Sequence, residues 1–206
     1  MNYNFSYVFT ILFMLFGPIK LILPFAALTQ GADGRFKRDV AIRGAVIASA
    51  LCAFVALAGG TLLGRYRISL DALYISGGLV LLIAALQVIF QKAHPPAPSS
   101  GKTTAIQLAA SPVAAPIIVT PAGVAVLLAC TLLARQNPGL MQSVAICLAI
   151  MMVLNFLAMY FVDRVMRTPG LIMILTVLGA ALLFLQVGLA IEFILDALKN
   201  LGAFKV

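Results

Sequence analysis

Two short stretches carry residue types from which a binding site could be built: Phe16-Gly17-Pro18-Ile19-Lys20 and Val119-Thr120-Pro121-Ala122-Gly123. Each sets a Pro behind a Gly or a Thr inside a long apolar run, where one helix can stop and another begin. Gly and Thr are accepted at the N-cap, and Pro is favoured at the first helical position, where its missing N–H would have had no partner. The amides that follow, together with the positive end of the helix dipole, then face an anion. A carboxylate is the chemistry that suits such a place. The competing reading is that the prolines only kink two continuous helices and that neighbouring side chains fill the gaps. Two breaks at matching positions, with Gly17, Ala122 and Gly123 beside them, favour a site. The candidate substrate-binding residues are Gly17, Pro18, Lys20, Thr120, Pro121, Ala122 and Gly123.

Lys20 is the only basic residue well inside an apolar run. A buried ammonium is costly and usually faces a cavity, so Lys20 reads as a contact for an anionic group, the alternative being a side chain that snorkels to the headgroups. Asp163 and Asp196 stand near the ends of apolar runs, where solvated or Lys-paired carboxylates are common, and Glu192 lies one turn from Asp196. Asn155 sits in the centre of its run and reads as a hydrogen-bonding residue between helices. Gly59-Gly60 and Gly77-Gly78 read as points of close helix packing. The single histidine lies in a Pro-rich stretch, there is no Ser/His/Asp set and the glycines do not form a phosphate loop, so no enzyme and no cofactor is expected.

The elements that must position these residues are membrane spans. Of 206 residues, 63% are hydrophobic and 10% charged, with a mean hydropathy of +1.12, more apolar matter than a soluble core of this size can hide. Runs of roughly 20 apolar residues are needed to cross a bilayer. Six are present, at about 5–29, 40–63, 70–90, 105–134, 140–162 and 171–195. The stretch His94-Pro95-Pro96-Ala97-Pro98-Ser99-Ser100-Gly101-Lys102 reads as a linker between halves. The net charge of +8 is explained by basic loops and not by nucleic acid: eight Lys and Arg fall in the loops after spans one, three and five, against five on the other side. That bias puts the linker in the cytoplasm and both termini outside. Cys52, Cys130 and Cys147 lie inside apolar runs without ligand spacing, so neither a disulfide framework nor a metal site is expected.

Pro18 and Pro121 are 103 positions apart, and Gly77 and Gly179 are 102 apart, each about half the chain. With three spans per half, the second half must enter the membrane from the opposite side. The expected fold is therefore an all-α integral membrane protein of six transmembrane helices in two inverted-topology three-helix repeats, 1–91 and 105–206, joined by a cytoplasmic linker 92–104, with the first and fourth helices broken at mid-membrane.

Three motifs carry a family resemblance. They are Pro18, Phe25 and Leu28-Thr29 in the first span; Ile68-Ser69-Leu70 through Gly77-Gly78 at the start of the third; and Pro112-Val113-Ala114-Ala115-Pro116 with Thr120-Pro121-Ala122-Gly123-Val124 in the fourth. In these the chain resembles the MarC, or neutral amino acid transporter, family of six-span bacterial and archaeal inner-membrane proteins over nearly its whole length. It departs from that family where Gly17 stands in place of Asn, where Thr120 and Ala122 replace glycines, and where Lys20 occupies a usually small or neutral position. The resemblance implies a multi-pass inner-membrane protein that exports small neutral amino acids on an ion gradient.

The combined expectation is a secondary transporter of the inner membrane, exporting small amino acids or related small carboxylates from a midplane site at the two breaks. Its expected partners are that substrate, the lipid bilayer, a coupling proton or Na+ and, as a further candidate, a second copy of the chain. The alternative from another class is a non-transporting membrane scaffold or accessory protein, whose breaks would be filled by neighbouring side chains.

Overall fold

The computed structural model describes residues 5–90, 104–134 and 138–203. The linker expected at 92–104 lies outside them apart from Thr104, as do Lys92, Lys102, Arg135 and Lys205. The described residues are helical nearly throughout: α1 (Phe5–Phe16), α2 (Ile19–Leu28), α3 (Gly34–Arg65), α4 (Leu70–Phe90), α5 (Ala105–Leu108), a wide-turned segment (Ala109–Ile118), α6 (Pro121–Ala134), α7 (Pro138–Tyr160), α8 (Val162–Met166) and α9 (Pro169–Asn200). Among the described residues five apolar stretches are long enough to cross a membrane, the first being Phe5–Leu28, made of α1 and α2; the pair Ala105–Ile118 and Pro121–Ala134 makes a sixth when taken as one span. The molecule wears its apolar side chains outward: Leu57, Phe90 and Phe184 are 78%, 76% and 79% exposed. Water would not tolerate that surface and lipid requires it.

The two breaks differ in kind. Gly17 and Pro18 interrupt the first span, yet Pro18 stays in helical space (φ −71°, ψ −20°), so α1 and α2 still read as one 24-residue crossing. In the fourth span Val119 turns out of the helix (φ −92°, ψ 89°), and the chain bends by 63° before α6. That span is also interrupted twice more, at Ser111 (φ −143°, ψ 126°) and Ala115 (φ −137°, ψ 127°). Each precedes a proline, whose ring pushes the residue before it out of the helical region. Both the Ser111-Pro112 and Ala115-Pro116 peptides are cis. The expectation of one break in the fourth span is thus extended to three.

The long α3 is the hub, packing against the Ala109–Ile118 segment, α6 and α7, while α4 runs along α9 and α1 along α7. Small residues set these approaches. A Cβ on Gly44 would lie 2.9 Å from Val113 Cγ1, one on Gly59 would strike Leu128, and one on Gly77 would lie 3.0 Å from Ala125 Cβ. Gly179, the counterpart of Gly77 by spacing, has nothing within 4 Å of such a Cβ, so the sequence match is not mirrored in packing. On α4 a Cβ at Gly78 would sit 2.7 Å from the Ala190 carbonyl and 2.8 Å from Ile194 Cγ1 of α9. Gly78→Val should therefore force α4 and α9 apart at a cost of about 1–3 kcal/mol, read as a lowered melting temperature; an unchanged one would mean that the two helices do not meet this closely.

Polar contacts tie the ends of the bundle. Asn200 Nδ2 donates to Asp71 Oδ1 at 3.0 Å, joining the end of α9 to the start of α4, and the Tyr74 and Phe193 rings stack 5.4 Å apart beside them. At the other face Lys37 of α3 meets Asp163 of α8 at 2.6 Å. Asp196 lies 3.8 Å from Lys199, and Glu192 is exposed. The pairing reading of Asp163 and Asp196 matches this geometry.

Candidate functional site

Gly17 is buried between α1 and α2, and a Cβ there would collide with the Phe13 carbonyl of the preceding turn. A side-chain-free residue lets the chain pass that carbonyl on its way into Pro18. The break leaves carbonyls at the end of α1 without helical partners, and two side chains meet them. Lys20 Nζ donates to the Leu15 carbonyl, so the ammonium turns back along its own span. Asn155 Nδ2, arriving from α7, donates to the Phe16 carbonyl at 2.7 Å.

Asn155 is 1% exposed, and its Oδ1 is buried without a hydrogen-bond partner. The orientation of this carboxamide is set by chemistry: a carbonyl can only be met by its NH2 end, so Oδ1 is the end left over. Here the reading of Asn155 as a bond between helices acquires a specific target, the backbone at the first break.

At the second break, Val119 N–H donates to the Ala114 carbonyl at 2.9 Å, and the chain then leaves the helix. Thr120 Oγ1 accepts from the Gly123 N–H at 3.1 Å, and the Thr120 carbonyl accepts from the Val124 N–H at 3.0 Å. Thr120 is thus the N-cap of α6, as its residue type suggests. Ala122 is 1% exposed and Gly123 is buried, while Thr120 is half-buried and Pro121 exposed.

The breaks touch through Phe16. A Cβ on Gly123 would lie 2.6 Å from Phe16 Cζ, which places the tip of the ring on the bare backbone of α6. The same residue gives its carbonyl to Asn155. Phe16, itself 1% exposed, is the joint of three elements: the end of α1, the start of α6 and the last third of α7. Of the candidate residues, Gly17 and Gly123 are brought to this joint from either side and Thr120 caps the helix that Gly123 opens. Sequence reasoning placed Phe16 at the head of the first break but gave it no role, since a Phe in an apolar run gives no signal of its own.

A constricted, mostly apolar cleft of about 40 Å³ runs in from the face that holds the starts of α1 and α4 and the end of α9, enough for a few water molecules. Tyr7, Tyr74 and Asp196 line it, and so do Leu12 and Val126, which stand about one turn from Phe16 and Gly123.

A helical bundle that exposes apolar side chains all round and presses two interrupted helices together over a buried carboxamide defines a polytopic α-helical membrane protein with a polar joint inside. More particularly, the chain belongs to the MarC family of integral membrane proteins, whose family model matches residues 2–201. It is similar to a UPF0056 membrane protein of Archaeoglobus fulgidus, 27% identical over 81 residues that cover 39% of this chain and 38% of that one. The match thus spans well under half the length of that relative. No solved structure matches the chain.

Proposed function

We propose that the protein is a secondary transporter of the cytoplasmic (inner) membrane that exports small amino acids or related small carboxylates. The observation that carries this reading is the meeting of two interrupted helices at Phe16 and Gly123 beside Asn155, whose buried Oδ1 lacks a partner. An acceptor left unpaired in a dry interior costs about 1–3 kcal/mol, a cost that a ligand's ammonium group would relieve. The start of α6 offers the complementary end. When Phe16 withdraws from Gly123, the Ala122 amide and the positive dipole end of α6 are uncovered for a carboxylate, which also takes the Gly123 amide if it displaces the Thr120 hydroxyl.

In this mechanism the described arrangement is the closed one, with the Phe16 ring as the gate. The halves 1–91 and 105–206 are inverted repeats that rock about the joint, with both termini outside and the linker in the cytoplasm. A proton or Na+ gradient drives the cycle. Lys20, released from the Leu15 carbonyl, adds a positive charge on the path and favours substrates with an extra carboxylate over simple zwitterions.

One observation favours a second reading, that of a non-transporting scaffold or accessory protein. Lys20, Asn155 and Thr120 each engage backbone at a break, which is how breaks without a ligand would be filled. The melting temperature of the detergent-purified protein against amino acids and small carboxylates separates the two. A ligand at 100 times its dissociation constant stabilises by about 2.7 kcal/mol, and the transporter reading expects such a shift for at least one compound, with selectivity altered in Lys20→Ala. No shift across the panel would support the scaffold, and a shift with unaltered selectivity in Lys20→Ala would remove Lys20 from the site.

A further inference from the structure

Two clefts open on the face opposite the starts of α1 and α4, and they share the Lys37–Asp163 pair as their common wall. One, of about 330 Å³, lies between the start of α3, the end of α7 and α8 and is strongly basic: Lys37, Arg38, Arg164 and Arg167 line it against the single carboxylate of Asp163. Asp163 is engaged by Lys37 at 2.6 Å, which leaves the three guanidinium groups without a carboxylate of their own among the lining residues. Arg38 does not dangle, since its guanidinium is held 5.0 Å over the centroid of the Tyr160 ring. The other cleft, of about 360 Å³, is different in kind, with Leu23, Ala26, Ala27 and Met166 as its apolar wall and Gln30 and Gly31 at its rim. Tyr160 and Phe161, 36% and 43% exposed, flank the basic cleft; aromatic residues favour the depth where headgroups meet acyl chains.

A basic pocket joined to an apolar groove at the edge of a membrane span is complementary to an amphipathic anion. Arginine suits its polar end, because the planar guanidinium grips phosphate oxygens two at a time. We propose that the two clefts form one site for an anionic phospholipid, its phosphate held by Arg38, Arg164 and Arg167 and an acyl chain lying along Leu23, Ala26, Ala27 and Met166. The bound lipid would bridge α2, α3 and α8, the elements that the Lys37–Asp163 pair already draws together. This face is the one assigned to the cytoplasm by the charge bias, where anionic lipid is recruited by juxtamembrane cations.

The test is the melting temperature of the full chain in detergent, titrated with phosphatidylglycerol, with phosphatidylcholine of the same acyl chains and with inorganic phosphate. Phosphatidylglycerol is expected to stabilise at roughly one-tenth the concentration that phosphatidylcholine needs, and phosphate alone is expected to do nothing. The triple variant Arg38→Gln, Arg164→Gln, Arg167→Gln should abolish the preference, whereas Arg65→Gln with Arg67→Gln, on the opposite face, should keep it. If the triple variant does not fold, Arg167→Gln alone should weaken the preference roughly fivefold. Equal stabilisation by the two lipids, a preference retained when the arginines are changed, or a full shift from phosphate alone would each overturn the proposal.

Discussion

Gly123→Val should abolish the proposed transport and lower the melting temperature by roughly 2–12 °C. The Cβ alone would lie 2.6 Å from Phe16 Cζ, and the two methyl groups behind it need still more room. Phe16 cannot easily give way, being 1% exposed and tethered through its carbonyl to Asn155. Overpacking of this kind costs about 1–3 kcal/mol, and a chain of this size loses about 2–4 °C per kcal/mol. In the proposed transport cycle the effect on transport should exceed the effect on stability, because the substitution wedges the surface that a Phe16 gate would close upon. A double-mutant cycle isolates that contact: Phe16→Ala should recover stability in the Gly123→Val background while costing stability alone, giving a coupling of about 1 kcal/mol or more. Additive losses would mean that Phe16 and Gly123 do not meet. Wild-type transport by Gly123→Val would remove the gate from the mechanism.

The second large effect belongs to Asn155. Asn155→Leu keeps the branched outline of the side chain but deletes the donor to the Phe16 carbonyl. Hydrogen bonds between membrane helices average only about 0.6 kcal/mol because the separated helices find other partners. The carbonyl at a break has fewer alternatives, so a loss nearer 1–2 kcal/mol is expected, toward the cost of an unsatisfied buried group. Transport in proteoliposomes should fall by at least about tenfold, since one substitution removes both the tether of Phe16 and the unpaired acceptor Oδ1. Asn155→Asp separates these roles by pH: protonated, its O–H can still donate to the Phe16 carbonyl, whereas ionised it keeps acceptors but has no donor, so the tether should be lost only as pH rises. Asn155→Leu with unaltered melting and unaltered transport would place the function elsewhere.

How much of this was legible in the sequence depends on the range of the interaction. The breaks themselves were local: Gly17-Pro18 and Thr120-Pro121 announced them, and Thr120 caps α6 as a Thr before Pro should. The extended residues at Ser111 and Ala115 were equally local, each marked by the proline behind it, but the reading gave weight to the break at Thr120 alone. The partners across the bundle were not legible. Nothing in residues 16 and 155, separated by 139 positions, says that a carboxamide in the fifth span will meet a backbone carbonyl in the first. Resemblance to the family places an amide at position 17, where this chain has Gly; here the amide at that break comes from Asn155 instead. Lys20 was read outward, toward an anion; its Nζ meets the Leu15 carbonyl, five residues behind it, a contact that apolar patterning does not announce.

The helices are also of unequal length. α3 and α9 have 32 residues each, while α4 has 21. At 1.5 Å per residue, α4 matches a hydrocarbon core of about 30 Å, and the other two, at about 48 Å, exceed it. The long helices must therefore lean or stand proud of the bilayer, and on α3 the protruding turns include Arg35, Lys37 and Arg38. A thinner membrane leaves those turns in water and a thicker one draws them among the headgroups. Hydrophobic mismatch would thus act as a load on the hub helix, the one that carries Gly44 and Gly59 against the broken fourth span.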